Sequence, residues 1–404
     1  MIALDEALRR ITADVTPLRT ESVELAAAAG RVLALPVRAD RDNPSADRSA
    51  MDGFALRAAD VVDVPARLQV IGEVRAGVAP AVAVEAGEAV RIFTGALIPP
   101  GADAVVMVER TREDRAAGQV VVDHAARAGE HIRPRGQDRG AGDLLLSAGR
   151  LLQAAELAAL ASVGATRPLV YRRPRVGVLS TGDEIVEPGV VPAAHQVRNS
   201  NGPMLVAQAR ALGCEARCHG VAGDRPGALR RALQAGLAED VLLVTGGVSV
   251  GDYDLVAATL EALGLRLWFH GVAMKPGKPV LAGRCGTTVV VGLPGNPVSS
   301  FACFAVLVAP LVRRLGGVTP WDNCYLEVRL TEALRCRPGR VTYHLARLDP
   351  AAGGVVARAV RTSGSGDVLA LARANGFVVT AAESAGAAAG QSLPALPWPG
   401  FPQG

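Results

Sequence analysis

VLLVTGGVSVGDYDLVAATLEALG, residues 241–264, sets a short apolar run against a glycine-rich turn and then a segment with helical spacing. The run is too short for a helix and ends at glycine, so it reads as a strand buried on both faces, with the segment from Leu255 as the helix that follows. The same alternation extends outward over residues 175–316. RVGVLS, EARCHGVAG, LRLWFHGVA and TTVVVGL read as strands; GPMLVAQARAL, PGALRRALQAGLA and the apolar VSSFACFAVLVAPLVRRL read as helices. Repeated strand–helix units of this kind predict a doubly wound, largely parallel α/β sheet.

Outside this region the pattern changes. Residues 1–46 read as helical and apolar, and a further helix is expected in LLQAAELAALASVG from Leu151. Between them, residues 47–133 are short, valine-rich and broken by turns such as PPGAD, which suggests a β-rich insert. After about Val318, CYLEVRL, VTYHLARL, GVVARAV and GFVVTAA read as strands of a small β barrel, and the closing ALPWPGFPQG as a disordered tail. Four domains are therefore expected: a discontinuous helical and mixed domain (1–46 and 134–173), the insert (47–133), the α/β domain (174–317) and the barrel (318–404).

Composition narrows the partners. The chain has 404 residues, half of them hydrophobic, and a net charge of only +4 with both signs mixed along its length, so no nucleic-acid footprint stands out. Six cysteines contain no C-x-x-C pair, and MIALDEALRR lacks the apolar core of a signal peptide, which points to a reduced, cytoplasmic setting. The apolar run 298–312 is shorter than the roughly 18 residues a membrane span needs and reads as a buried helix. Only two of the 43 basic residues are lysine, and both, Lys275 and Lys278, lie within KPGKP. A GC-rich genome explains the excess of arginine but not where lysine survives. A compact ammonium suits contact with a phosphate or another anion, so KPGKP reads as an anion-binding loop.

In parallel α/β sheets ligands bind beyond the carboxyl ends of the strands. The loops there are STGDE (180–184), GDRP with Asp224, TGGVSVGDYD (245–254), KPGKP (275–279) and GLPGNP (292–297). Backbone N–H groups of a turn such as Gly246–Gly247 can cradle an anion, although the turn can equally be structural and Asp252 a helix N-cap. Asp183 and Glu184 are adjacent carboxylates that can hold Mg²⁺ beside a pyrophosphate, or form a solvated turn. The rigid GLPGNP is equally a strand-to-helix turn or a ligand contact. Nearer the N-terminus, SADRSAMDGFA carries Asp52, RIFTGALIPPGADAVVMVE carries Thr94, and IRPRGQD carries Arg133, Arg135 and Asp138.

In this order, SAMDGFA, RIFTGALIPPGADAVVMVE, RGQD, STGDE, GGVSVGDYD, KPGKP and GLPGNPVS resemble the motif set of the MoeA family of molybdopterin molybdenumtransferases, related to the E domain of gephyrin. The resemblance runs from about Leu4 to the C-terminal barrel. It implies an elongated homodimer of four-domain subunits whose third domain binds molybdopterin. The implied reaction inserts molybdate into adenylylated molybdopterin and releases AMP, with Mg²⁺ as cofactor. By resemblance, Asp52, Thr94, Asp138, Glu184, Asp224, Lys275 and Lys278 are catalytic. Substrate contacts are implied at Thr181, Gly182, Asp183, Gly246, Gly247, Ser249, Asp252, Pro294, Gly295, Asn296, Pro297 and Ser365, and metal ligation at Glu184, Asp224 and Asp252.

One stretch departs from the family. A Ser-Gly-Ser-His-like run appears here as SGSGD (363–367), with Gly366 where histidine is common, which weakens the barrel's implied part in catalysis. Two other readings keep the central domain. One is the adenylyltransferase that supplies the substrate, usually a single short domain with a GTG-containing loop; the other is a gephyrin-like scaffold without catalysis, against which the intact carboxylates and lysines argue. Expected partners are the small-molecule substrates, a second copy of the chain, and possible contacts with the adenylyltransferase and downstream cofactor-processing proteins, with no nucleic acid and no membrane.

Overall fold

A computed structural model describes residues 1–247 and 255–399. The chain divides into two compact units, one of residues 1–35, 148–154 and 167–404, the other of residues 36–147 and 155–166.

The larger unit is organised around a six-stranded sheet. Its strands are β1 (Arg175–Thr181), β2 (Glu215–Ala222), β3 (Val241–Thr245), β4 (Arg266–His270), β5 (Leu281–Cys285) and β6 (Thr288–Leu293), in the spatial order β2-β1-β3-β6-β5-β4. The first four in that order are parallel. The continuous apolar runs of β1, β3 and β6 are explained by helices on both faces. Val176, Val178, Val241, Leu243, Val289 and Val291 face one core with helix α1 (Asn201–Ala211) and the long helical segment from Pro297 to Leu315. Leu179, Leu242, Val244 and Val290 face the other, against α2 (Pro226–Gly236) and α3 (Leu255–Ala262). The doubly wound expectation holds. The segment 297–315 is long and apolar enough to cross a membrane, but it is mostly buried as a core helix.

The sheet is less parallel than the sequence suggests. β5 runs antiparallel to both β6 and β4. LAGRC went unread as a strand because it is short, holds glycine and arginine, and is joined to β6 by a two-residue turn at Gly286, whose φ is +57°.

The N-terminal segment also differs. Only Leu4–Ala13 is α-helical, with a single 3-10 turn at Leu25–Ala27; Thr20–Ser22 pairs antiparallel with Leu169–Tyr171, and Val32 and Leu33 bridge to Leu151 and Val170. Pro17, Pro36 and Pro44 deny this stretch helical hydrogen bonds, so its apolar residues are buried from extended backbone.

At the other end, β7 (Leu326–Leu330), β8 (Val341–Ala351), β9 (Gly354–Ala359), β10 (Gly376–Thr380) and β11 (Ser392–Pro397) close in the order β8-β9-β7-β11-β10-β8. The small barrel is therefore present. The segment read as a tail contributes its last strand: β11 pairs with β7 and β10, and Trp398 stacks on Phe301 with centroids 4.4 Å apart. Prolines that look disordering in sequence are accommodated in this strand: Pro394 lies opposite Glu327 and Pro397 opposite Gly376.

The smaller unit is a six-stranded sheet in the order Ala104–Met107, Gly53–Leu56, Glu88–Ile92, Ala66–Val74, Gln119–Val122 and Thr111–Asp114. Phe54 and Leu56 face one core while Ala55 faces another, which is the period-two alternation of a strand covered on both sides.

Phe377 is fully buried and meets Tyr343 edge-on at 6.0 Å and Trp398 at 5.6 Å, joining barrel and C-terminal strand to the apolar helix. Phe377→Ala is expected to destabilise the larger unit by about 3–5 kcal/mol, read as a drop in its thermal midpoint. A loss below about 1 kcal/mol would mean that this aromatic cluster does not anchor the barrel.

Candidate functional site

The strands β1, β3 and β6 end in step. Ser180 lies beside Thr245, and Thr245 beside Leu293. Their loops consequently leave the sheet at one edge and enclose a cavity of about 620 Å³. Its walls include Thr181, Glu184, Gly246, Gly247, Pro294, Gly295, Asn296 and Pro297. Eight of the residues singled out in sequence thus share one cleft, of the size that holds a small-molecule ligand. Gly246 has φ +94°, and a Cβ there would come within 2.4 Å of the Thr181 carbonyl oxygen, so only glycine lets the two loops approach this closely.

Polar residues of this cleft missed in sequence include Arg198, Asn199, Ser200 and Asn201. Asn199 and Asn201 line it from the start of α1. Asn199 Oδ1 accepts from Ser180 Oγ and from Gly202 N–H, each at 2.9 Å. Asn201 Nδ2 donates to Thr245 Oγ1 at 2.8 Å and to the Gly295 carbonyl at 2.7 Å. The asparagines thereby tie three loops together. The polar run RNSNG between a strand and a helix was the available signal.

The lysines open onto a second cavity of about 570 Å³ that shares Pro279, Pro294 and Asn296 with the first. Lys275 is held by a two-residue strand, Met274–Lys275, pairing with β8, and both lysines are exposed. Arg335, Arg340 and His344 line the same space, and among the described residues no carboxylate does. These three came from barrel strands and turns that carried no motif. Ser365 reaches this cavity too, its hydroxyl accepting from Asn296 Nδ2 at 2.9 Å and its carbonyl from Val298 N–H at 3.0 Å. Burial, together with the Lys275 charge, depresses the His344 imidazole to about 4, so it is neutral at ordinary pH.

Gly182, Asp183 and Asp224 are not walls of either cavity. Asp183 Oδ1 accepts from the Asp224 backbone N–H at 3.0 Å, so this carboxylate fastens the neighbouring loop. Glu184 and Asp224 are exposed, and among the described residues no group of three acidic, histidine or cysteine side chains forms a metal cage. Ser249 and Asp252 lie outside the described residues.

Asp52, Thr94 and Asp138 belong to the smaller unit. Asp52 Oδ1 accepts from Thr94 N–H at 2.7 Å and from the Thr94 hydroxyl at 2.8 Å. Those two bonds, and more distantly Arg91, hold its carboxyl below the usual range. It is a firm anion and a weak base. Asp138 is instead gripped through both oxygens by Arg133, at 2.9 and 2.8 Å, and by Asn43. The structure pairs Asp52 with Thr94, and Asp138 with Arg133.

Comparison with known proteins gives a consistent result along the chain. Residues 2–164 match the family model of the MoeA N-terminal region (domains I and II), residues 177–314 that of a probable molybdopterin binding domain, and residues 327–398 that of the MoeA C-terminal region (domain IV). A molybdopterin molybdenumtransferase of Nostoc sp. is 39% identical over 333 residues, covering 80% of this chain and 76% of the relative. One of Bacillus subtilis is 33% identical over 404 residues, covering 98% and 94%. Among solved structures, a molybdopterin biosynthesis MoeA protein from Pyrococcus horikoshii superposes with a TM-score of 0.86 at 28% identity, covering 98% of this chain and all of that one.

The neutral state of His344 is testable. Its folded value lies below the ordinary one, so folding favours the unprotonated ring: the contribution to stability is complete above about pH 6.5 and is lost as pH falls toward 4. An NMR titration of the His344 ring is expected to show a midpoint near 4; a midpoint at or above its unperturbed value, about 6.5, would refute the assignment.

Proposed function

We infer a mechanism from one premise: the chain belongs to the molybdopterin molybdenumtransferases, the MoeA family. It is a transferase of molybdenum cofactor biosynthesis, with molybdopterin and molybdate as substrates. In our reading the pterin arrives adenylylated; its two dithiolene thiols bind molybdenum and give up their protons, one oxygen of the oxyanion leaves with them as water, and a water molecule cleaves the phosphoanhydride to release AMP.

The observation that carries the assignment of sites is the contrast between the two adjoining cavities. One is walled mostly by uncharged polar groups, glycine and proline, with Glu184 and Arg198 of opposite sign; the other presents Lys275, Lys278, Arg335 and Arg340 without a described carboxylate. We assign the first to the pterin and the second to molybdate. A dianion and a pyrophosphate repel one another, and fixed cations beside the shared wall of Pro279, Pro294 and Asn296 would offset that repulsion and hold the reacting atoms together.

The carboxylates fit Mg²⁺ in a restricted way. Glu184 on the cavity wall and Asp224 in the loop fastened by Asp183 are open carboxylates rather than a closed cage, as suits an ion that takes one or two protein carboxylates and completes its shell with water and phosphate oxygens. Asp252 is the remaining candidate ligand. Such an ion would neutralise phosphate charge. The four-domain division, the dimer and a cytoplasmic location are parts of the same proposal, resting on the family resemblance. In that dimer Asp52 and Thr94 of one chain would complete the cleft of the other, by two-fold symmetry reciprocally. The low basicity of Asp52 supports a role in orienting a donor, such as water or a thiol, over one as a proton store.

Two experiments test this. Lys275→Arg and Lys278→Arg keep the charge but replace a compact donor with a planar fork, and each is expected to cut molybdate-dependent AMP release at least tenfold; near-normal turnover in both would remove the lysines from the oxyanion site. Mixing Asp52→Asn chains with Lys275→Ala chains under subunit exchange should restore activity from two inactive parents, because one cleft of each mixed dimer is then intact. If exchange is verified and nothing returns, the shared cleft is wrong.

A further inference from the structure

His344 stands in the cationic cavity with its hydrogen-bonding sense fixed from behind. Cys336 Sγ donates to the Ser384 carbonyl at 3.1 Å, and a carbonyl can only accept. The thiol proton is thereby used, so the Thr380 hydroxyl, 3.6 Å from that sulfur, donates to it. The hydroxyl proton is used in turn, and Thr380 Oγ1, in a residue buried on β10, accepts from His344 Nε2–H at 3.0 Å. A neutral imidazole carries one N–H, so Nδ1 is a bare acceptor. Among the described residues nothing bonds Nδ1, and it is not one of the atoms sealed in the interior, so it opens on the cavity that the residue lines.

An acceptor is the exception among these surroundings. Lys275 and Lys278 from the KPGKP loop, Arg335 from the short strand Leu334–Arg335 and Arg340 from the turn before β8 bring only donors. β9 adds no ionisable group to the lining, Tyr343 on the same strand bonds Tyr325 instead, and no described carboxylate faces the ring. Four cations draw in an oxyanion, whose oxygens are acceptors as well. Two acceptors bond only through a proton held between them.

We propose that the cavity takes up its oxyanion together with one proton, shared between His344 Nδ1 and an oxyanion oxygen, and that this oxygen is the one that leaves as water. The inference rests on the reading of this cavity as the molybdate site. In the empty cavity burial and Lys275 keep the ring neutral; a bound dianion offsets Lys275 and favours the protonated ring. In the reaction two Mo–S bonds form and one Mo–O bond breaks, with no change in the oxidation state of molybdenum. The departing oxygen takes the shared proton and one thiol proton; the second thiol proton replaces the shared one on Nδ1 and passes to solvent when the product leaves. His344 is then a catalytic proton carrier, while Thr380 and Cys336 are positioning residues that set its tautomer.

The test uses the full-length protein with molybdate alone as the probe. In calorimetry repeated in buffers of different ionisation enthalpy, the wild type should take up protons on binding, and its affinity should fall about fourfold or more between about pH 5.5 and 7.5. The NMR midpoint of the His344 ring should move from near 4 in the free protein to above about 6 in the complex. His344→Gln keeps a donor for Thr380 but has no atom that takes a proton, and its molybdate affinity should vary less than twofold over the same range. The midpoint is read on unaltered protein, so it carries the test if the variant fails to fold. A midpoint that stays near 4 in the complex overturns the proposal, as does a wild-type affinity that varies less than twofold, or a pH dependence that His344→Gln retains. No binding of molybdate by the wild type at about 1 mM and pH 7, or binding undiminished in Lys278→Ala, would overturn the cavity assignment itself and the proposal with it.

Discussion

The register that sets Ser180 beside Thr245 and Thr245 beside Leu293 brings three chain segments out of the sheet at one level. A slip of one residue in any of the three would exchange its two faces, moving valines and leucines from one helix layer to the other. Both layers are apolar, so the sheet itself would survive such a slip in part; the cleft would not. Thr181 and Thr245 would turn away from the glycines and the Asn201 amide that now fit them. The packing that stabilises the larger unit and the geometry of its ligand cavity are thus fixed by the same hydrogen-bond ladder.

The two cavities differ in charge. The first is lined mostly by uncharged groups, with Glu184 and Arg198 of opposite sign, whereas the second gathers cations contributed by the KPGKP loop and by the barrel. The barrel is joined to the α/β sheet through the Met274–Lys275 strand, the Asn296–Ser365 contact and the Phe301–Phe377–Trp398 stack. It therefore brings cationic groups to this cavity even though its SGSGD stretch lacks a histidine. His344 enters the same cavity from β8, but its neutral ring makes it a hydrogen-bonding group and not a fifth cation.

What was legible in the sequence was what is local. Buried strands declare themselves as apolar runs, and the turns that follow them declare themselves by glycine, so the sequence alone assigns STGDE, the Gly246–Gly247 turn and GLPGNP to one sheet edge. KPGKP stood out because lysine is otherwise missing. What was not legible depends on distant partners. Asn199 and Asn201 look like ordinary loop polarity until Gly202 and Gly295 fix their amides. β5 and β11 become strands only because a sheet edge and an open barrel wait for them. The N-terminal apolar residues were read as helix because composition does not distinguish a helix from extended chain punctuated by proline. Asp183 was grouped with Glu184 by adjacency, yet one fastens a loop and the other faces the cleft.

The lysine distribution has a practical side. Both lysine side chains of the chain, Lys275 and Lys278, are exposed and line one cavity. Every other basic side chain apart from histidine is a guanidinium, inert to reagents that acylate amines. An amine-directed fluorophore or crosslinker would accordingly mark this cavity and little beyond the α-amine, so the native chain already carries a chemical handle at the place where an oxyanion is proposed to bind, with no cysteine introduced and no residue replaced.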